Sequence, residues 1–353
     1  MKQNYLYINL IINYKNLKFY ILIFLLFICI YLLKNFNRSK PKISIFLPIY
    51  NKENYLIKSI QCLQNQTLKD IEIVAVNDCS SDKSLKTIID LSKADKRIKV
   101  VNNDKNHGLL YSRAMGILHS SGEYIMNLDP DDELNDNECL EYLYNQTITS
   151  NIDIISFNIL NKKNNETINC TNFNIVERQP ELFNNIFDKD YVLNDFLIWN
   201  KLIKKNIYIK AYKDLQHEIY NGKWNYHEDL IWSILVNRYA KSKLCLDRLV
   251  YIYNYNNNSL MNKRNWNLEF QNAIYFLNTY KKLFNSKKEE KYLKGGYLWQ
   301  INNLRPGLEE CLLIDDNNIK NNITKIAKLF FKFYNRSRRI RHFYKQFFKS
   351  YKI

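Results

Sequence analysis

From Ile43 onward the chain alternates short apolar runs with longer stretches whose apolar residues recur every three or four positions. Ile43 to Ile49 reads as a strand and Tyr55 to Gln66 as a helix; Ile71 to Asn77 is a second strand and Ser84 to Lys93 a second helix. Strand Ile98 to Asn102, helix Leu109 to Ser120 and a strand opening at Tyr124 continue the series. This alternation predicts an α/β fold with a mostly parallel sheet and helices on both faces. The C-terminal ends of such strands face a common crevice, where ligands bind. Beyond it, Asp136 to Tyr144 reads as a helix, Ile152 to Ile159 as a strand and 161–174 as an Asn- and Lys-rich surface insertion. A helix then runs to about Tyr239, and 267–314 have helical character.

Two stretches outside this series carry a different pattern. Phe19 to Leu33 is an uncharged apolar run flanked by Lys15, Lys18, Lys34 and Arg38. As a helix it would cover about 22 Å against a hydrocarbon core of about 30 Å, so spanning needs local thinning or snorkelling lysines. The expectation is a single-pass anchor, and the basic excess after the run favours a cytosolic catalytic domain. Near the other end, Ile340, Phe343, Tyr344, Phe347, Phe348 and Tyr351 form a stripe in phase with Ile326, Leu329, Phe330 and Phe333, with Lys and Arg opposite. That stripe suits a helix lying on anionic lipid, a helix packed on the rest of the protein, or a basic ligand-binding tail.

Charge supports the first of these. Residues 1–42 hold seven Lys/Arg and residues 325–353 hold ten, neither with any acid, and together they account for the whole net charge of +17. The middle is formally neutral, so no nucleic-acid partner is expected, and basic ends point to a membrane surface. With 46% hydrophobic and 25% charged residues in 353, the middle has the composition of a folded protein. The seven cysteines are scattered without a C-x-x-C pair, which argues against a zinc ribbon or a disulfide framework and mildly favours a reducing compartment.

Polar loops follow each of the first four strands: Pro48 to Glu53, Asn77 to Asp82, Asn103 to Gly108, and Asp129-Pro130-Asp131-Asp132. Singly, each is what a turn or a helix cap looks like. Together they gather at one sheet edge, the last with three carboxylates in four positions. Clustered carboxylates repel unless a hard cation or solvent screens them, and a divalent ion bearing a diphosphate suits such a cluster. Tyr50 can stack on a base, Asp78 can accept from a base N–H or a ribose hydroxyl, and Arg113 can face a phosphate. A nucleotide site joins these observations. Nucleotidyl transfer would need a Gly-rich phosphate cradle, which the sequence lacks.

Ile43-Ser-Ile-Phe-Leu-Pro-Ile-Tyr-Asn-Lys-Glu-Asn-Tyr-Leu56, Val76-Asn-Asp-Cys-Ser-Ser-Asp82, Asn106-His-Gly-Leu-Leu-Tyr-Ser-Arg113 and Leu128-Asp-Pro-Asp-Asp-Glu-Leu134 resemble, in order and spacing, the successive motifs of family 2 glycosyltransferases over roughly residues 43–255. The resemblance implies the Rossmann-like glycosyltransferase-A fold with a mixed, mostly parallel central sheet. It also implies that Pro48, Tyr50, Asn51 and Glu53 line the nucleotide pocket, Asp78 contacts the base and Arg113 supports the nucleotide end. By the same resemblance Asp129 meets the ribose or the metal's water shell, and Asp131 holds Mn²⁺ or Mg²⁺ on the diphosphate. Cys79 and Ala114 depart from the family's usual Gly and frequent Asn.

Trp199-Asn200-Lys201-Leu202-Ile203 is similar to the segment preceding the acceptor region in many members, and His227-Glu228-Asp229-Leu230-Ile231-Trp232 opens a helix. Two acids at a helix start can be no more than favourable charges on the macrodipole. The resemblance makes Asp229 the catalytic base with Glu228 orienting it, while His227 is a structural residue or reaches the metal or diphosphate. The implied activity is inverting, metal-dependent transfer of a sugar from a nucleotide-sugar donor, a UDP-sugar by default, to a hydroxyl of a glycan, lipid or protein. Trp299 to Arg305 offers no Gln-x-x-Arg-Trp motif of processive synthases, so transfer of single residues is expected. The rival expectation is a membrane scaffold that binds nucleotide sugar without turnover. The implied organisation is a basic anchor segment at 1–42, a catalytic domain at 43–255 and a helical C-terminal region at 256–353.

Overall fold

The computed structural model of the chain describes residues 21–22, 24–27, 40–170, 197–221, 224–256, 265–283, 321–322 and 324–326. The chain divides into two units, Met1–Lys40 and Pro41–Ile353. In the first, residues 21–22 and 24–27 are helical with exposed apolar side chains, and the rest of the expected 19–33 anchor lies outside the described residues. Among the described residues no helix is long and apolar enough to cross a membrane, so the N-terminal transmembrane helix finds no support there. Of the basic helix expected near the C-terminus only residues 325–326 are described, and they are helical with Ile326 buried in the core; the rest of it, and residues 284–320 of the expected helical region, lie outside the described residues.

In the second unit one mixed sheet carries β1 (Ile43–Ile49), β2 (Ile71–Asn77), β3 (Ile98–Asn102), β4 (Tyr124–Asn127), β5 (Glu133–Leu134), β6 (Ile154–Asn161), β7 (Glu166–Ile168), β8 (Lys201–Lys204) and β9 (Lys243–Tyr253). Its order is β3-β2-β1-β4-β8-β6-β9-β5, with β7 added to β6. The first four strands are parallel; β1, β2 and β3 end level, Ile49 facing Asn77 and Asn77 facing Asn102, while β4 stops three residues earlier with Asn127 facing Phe46, and all four C-terminal ends point to one edge. β8 runs antiparallel between β4 and β6, and β6 pairs in parallel with β9. The expected mixed, mostly parallel sheet is therefore present; its irregular half begins at β8, a strand too short to show a period of its own.

Both faces of the sheet are buried, as side chains alternate along each strand. On β1, Ile43, Ile45, Leu47 and Ile49 face one layer and Phe46 the other. The first layer is closed by α1 (Leu56–Gln64), α2 (Ser84–Ala94) and α4 (Cys139–Ser150), through residues such as Leu56, Ile60 and Leu63 at helical spacing. The second is closed by α3 (Leu109–His119), α5 (Lys205–Asn221), α6 (Glu228–Tyr239) and α7 (Trp266–Leu283). Gly116 lets α3 lie directly on β1, since a Cβ there would stand 2.6 Å from the Phe46 ring. α6 is buried nearly all round, with Leu230 through Val236 inaccessible. Such a helix is a core element rather than a surface one. Phe270, Phe276 and Tyr280 of α7 enter the same core, so this helix beyond residue 255 packs with the catalytic unit.

Cys170, just past β7 and held to β6 by its N–H on Asn158 Oδ1, meets Cys245 of β9, with Cα atoms 6.1 Å apart and the sulfurs joined as a disulfide. The scatter of cysteines along the sequence argued against bridging. The pairing depends on neighbouring segments 75 residues apart in sequence, which no local spacing reveals.

Candidate functional site

The loops after β1, β2 and β3 are bound to one another through side chains that accept from backbone N–H groups. Asn51, at φ 52°, accepts from Ser81 N at 2.9 Å and donates its own N–H to Ser80 Oγ at 3.1 Å. Glu53 N donates to Asp82 Oδ2 at 3.0 Å while Glu53 Oε2 accepts from Lys83 N at 2.7 Å. Asp78, 3% exposed, accepts from Asn103 Nδ2 (2.8 Å), His107 N (3.0 Å) and Gly108 N (2.9 Å). Gly108 adopts φ 93°, a conformation that leaves this N–H pointing at the carboxylate and that a side chain would strain. A carboxylate has about four acceptor positions, so Asp78 retains little capacity for a ligand. Pro48 is buried within β1 and Tyr50 is 48% exposed at its end.

The acidic turn after β4 is gripped from the far end of β9. Tyr251 Oη donates to Asp132 Oδ2 at 2.7 Å and accepts from Asp129 N at 3.2 Å; Asn254 N donates to Asp132 Oδ1 at 2.8 Å. Burial, followed by the neighbouring charges of Asp129 and Asp131, pushes the Asp132 carboxyl up to about 8. Asp132 is therefore a structural member of the triplet. Asp129 and Asp131 keep partly exposed side chains, at 27% and 13%. Asp131 Oδ2 receives Lys52 Nζ at 2.5 Å and Asn256 Nδ2 at 2.9 Å.

The acidic start of α6 reaches the same place through Arg113. This side chain, 4% exposed, has Nη2 3.5 Å from both Asp129 Oδ1 and Glu228 Oε1. Its Nε and Nη1 are buried without a hydrogen-bond partner among the described residues. Burial opposes the guanidinium charge, but Asp129 and Glu228 outweigh it and its pKa rises. Glu228, 4% exposed, is pushed up to about 8 by burial and then by the adjacent Asp229. Burial also raises Asp229, against the pull of Arg113, and its Oδ1 accepts from Leu230 N at 2.8 Å. Lys201 lies wholly buried nearby, its Nζ donating to Leu197 O and to Asn200 Oδ1. Burial lowers its pKa to about 7, with Asp229 acting in the opposite direction.

A turn before α6 fixes these acids relative to the donor loops. Leu109 N donates to Asn225 Oδ1 and Leu110 N to Trp224 O, so unpaired amides at the start of α3 are satisfied by that turn. Asn272 of α7 in turn accepts from the N–H groups of Asn225 and Tyr226. His227, at φ 64°, lies 3.7 Å from Glu269 of α7 by its Nε2.

The structure thus brings Asp129, Arg113, Glu228 and Asp229 into one cluster, with Asp131 beside Asp129 on the same turn. Pro48, Tyr50, Asn51, Glu53 and Asp78 lie along the adjoining loops. Arg113 is sandwiched between two carboxylates, whereas the sequence suggested a side chain facing phosphate. Sequence reasoning gave no role to Lys52, Lys201, Tyr251, Asn254, Asn256 or Asn272. Lys52 was within sight, flanked by two named residues. Asn254 and Asn256 share the i, i+2 spacing that sends side chains to one side of an extended segment.

The family profile described as Glycosyl transferase family 2 matches residues 44–210. The chain is 29% identical over 241 residues to glycosyltransferase GlyA of Streptococcus pneumoniae, covering 66% of this chain and 33% of that protein. It is 28% identical over 223 residues to the uncharacterized glycosyltransferase EpsJ of Bacillus subtilis, covering 62% and 63%. It thus spans a third to just under two thirds of the length of these relatives. Among solved structures, S. aureus TarS 1–349 in complex with UDP-GlcNAc shares the fold, with a TM-score of 0.59 at 14% identity over 83% of this chain and 80% of that one. The profile ends before α6, yet the residues it covers hold all four loops after β1 to β4, and over that stretch the chain is similar to glycosyl transferase family 2.

Proposed function

We propose that the protein transfers a single sugar from a nucleotide-sugar donor to a hydroxyl acceptor with inversion at the anomeric carbon. The observation that carries this reading is Arg113, which ties Asp129 of the donor-side turn to Glu228 at the start of α6 and so sets Asp229 beside the donor. The acceptor oxygen attacks the anomeric carbon from the face opposite the diphosphate; its proton passes to Asp229, the glycosidic phosphate C–O bond breaks, and nucleoside diphosphate leaves. Glu228 and Arg113 hold Asp229 in place. A raised carboxyl pKa makes Asp229 a stronger base than an exposed aspartate, and the α6 N-terminus favours the anionic form that must accept the proton. Tyr50, half-exposed at the end of β1, would stack on the base.

A divalent ion, Mn²⁺ or Mg²⁺, fits the residues present. Asp129 and Asp131 offer hard, partly exposed oxygens, and Asp131 already draws a cation, the Lys52 ammonium. Among the described residues no group of three or more His, Cys, Asp or Glu side chains is arranged to hold a metal alone. Donor phosphates and water would have to complete the shell, as they commonly do around Mg²⁺. When bound, the ion would neutralise charge developing on the departing diphosphate.

UDP-sugars are the first donors to try, since TarS, which has this fold, was solved with UDP-GlcNAc. A glycan, lipid or protein hydroxyl as acceptor, and a membrane location with the catalytic unit on the cytosolic side, belong to the same proposal and rest on the basic ends of the sequence. The test is a panel of nucleotide sugars with Mn²⁺, scoring released nucleoside diphosphate and product stereochemistry. Release by wild type and its loss in Asp229→Asn supports the reading. Binding without release from any donor, with or without acceptor glycans, would favour the scaffold reading instead.

A further inference from the structure

Lys52 is seated directly on Asp131: Nζ stands 2.5 Å from Oδ2, and both side chains are largely withdrawn from water, at 20% and 13% exposure. Its main chain cannot follow a ligand. Lys52 N donates to Ser84 Oγ at 2.8 Å, and its carbonyl accepts from Tyr55 N and Leu56 N at the start of α1. Only the flexible four-carbon stem is free to move. Asn256 Nδ2 donates to the same Asp131 oxygen at 2.9 Å and is itself held by Tyr55 Oη at 3.1 Å, so the carboxylate stays fixed while its cation can change.

We propose that Lys52 is the counter-ion of Asp131 in the donor-free protein and passes to the donor diphosphate when the divalent ion arrives with it. The inference rests on the metal reading of the site given above. An ion held by Asp131 Oδ2 would take the place the Lys52 ammonium now occupies, so the two cations would exclude each other there. The diphosphate carried by the ion is the nearest new anion for the displaced ammonium. Free metal faces that competition without offering Lys52 another partner. Metal and nucleotide therefore enter together, each strengthening the other's binding by the same factor.

The test compares wild type, Lys52→Met, Lys52→Arg and the double variant Lys52→Met with Asp131→Asn. Binding of Mn²⁺ alone to nucleotide-free protein is read from the electron paramagnetic resonance signal of unbound Mn²⁺, and UDP binding with Mn²⁺ or EDTA by calorimetry. Thermal unfolding verifies that each variant is folded, and Lys52→Gln replaces Lys52→Met if that one is not. Removing the ammonium is expected to tighten Mn²⁺ binding to the nucleotide-free protein about tenfold, a change of about 1.4 kcal/mol. Asp131→Asn should erase the gain, Lys52→Arg should resemble wild type, and the enhancement of UDP binding by Mn²⁺ should shrink in Lys52→Met. Equal Mn²⁺ affinity in wild type and Lys52→Met, with Mn²⁺ still strengthening UDP binding, would overturn the role of Lys52 and leave the metal reading standing. UDP binding unchanged between Mn²⁺ and EDTA in wild type would overturn both.

Discussion

The donor-side half of the sheet, β1 to β4, and the half built from β6, β8 and β9 hold their polar residues by different means. In the first, side chains such as Asn51, Glu53 and Asp78 accept from backbone amides of the next loop, and the geometry is fixed by short hydrogen bonds, exposed at Asn51 and Glu53 and buried at Asp78. In the second, Glu228, Asp229 and Lys201 are withdrawn from water and answer to one another and to Arg113. A loop tied by backbone bonds tolerates loss of one side chain. A buried charge cluster does not, because the charge left behind has no solvent to turn to. The donor half is thus expected to fail gradually and the α6 cluster abruptly.

The largest effect should come from Asp229→Asn, which keeps the shape and removes the base: kcat should fall about 10³-fold, within the usual range for a general base, with donor binding retained. A fall of less than tenfold would detach Asp229 from the chemistry. Next, Arg113→Met should lower unfolding free energy by about 3 kcal/mol in urea denaturation, because it strands Asp129 and Glu228 opposite an apolar chain. Cys170→Ser should cost about 2–4 kcal/mol, the cross-link between distant segments being lost, and reduction of wild type should match it.

A smaller effect follows from pH. Glu228 titrates near 4.5 when unfolded and about 8 when folded, so the stability it permits is complete below pH 4.5 and is lost as pH rises toward 8. Asp132, raised to about 8, adds a slope of the same sign, whereas Lys201, lowered to about 7, adds an opposite slope above that pH. Glu228→Gln should therefore flatten the decline of unfolding free energy between pH 5 and pH 7 without abolishing it. An unchanged slope would remove Glu228 from the buried cluster.

The difference between the halves also explains what the sequence could reveal. β1 ends at Ile49, β2 at Asn77 and β3 at Asn102, as their apolar runs foretold; β1 and β2 are buried on both faces, and such parallel strands are written as nearly continuous apolar residues. Asp78, Asp129 and Asp131 sit at strand ends and were legible from position alone. β8 has four residues, one of them the buried Lys201, and gave no readable period. The long β9 was also missed, and with it Tyr251, Asn254 and Asn256. Their function depends on which strand lies beside which turn, a long-range fact that local pattern does not encode. Arg113 stood out in the sequence as a residue to face phosphate, but its two carboxylate partners lie 16 and 115 positions along the chain and only folding selects them.

The grip of β9 on the acidic turn bears on any attempt to build chimeras from this protein. Grafting its first 134 residues onto a foreign acceptor module would carry over the four loops after β1 to β4 but leave Asp132 without Tyr251 and Asn254. A recombination boundary meant to preserve donor recognition must travel with the last residues of β9, even though they lie more than a hundred positions downstream.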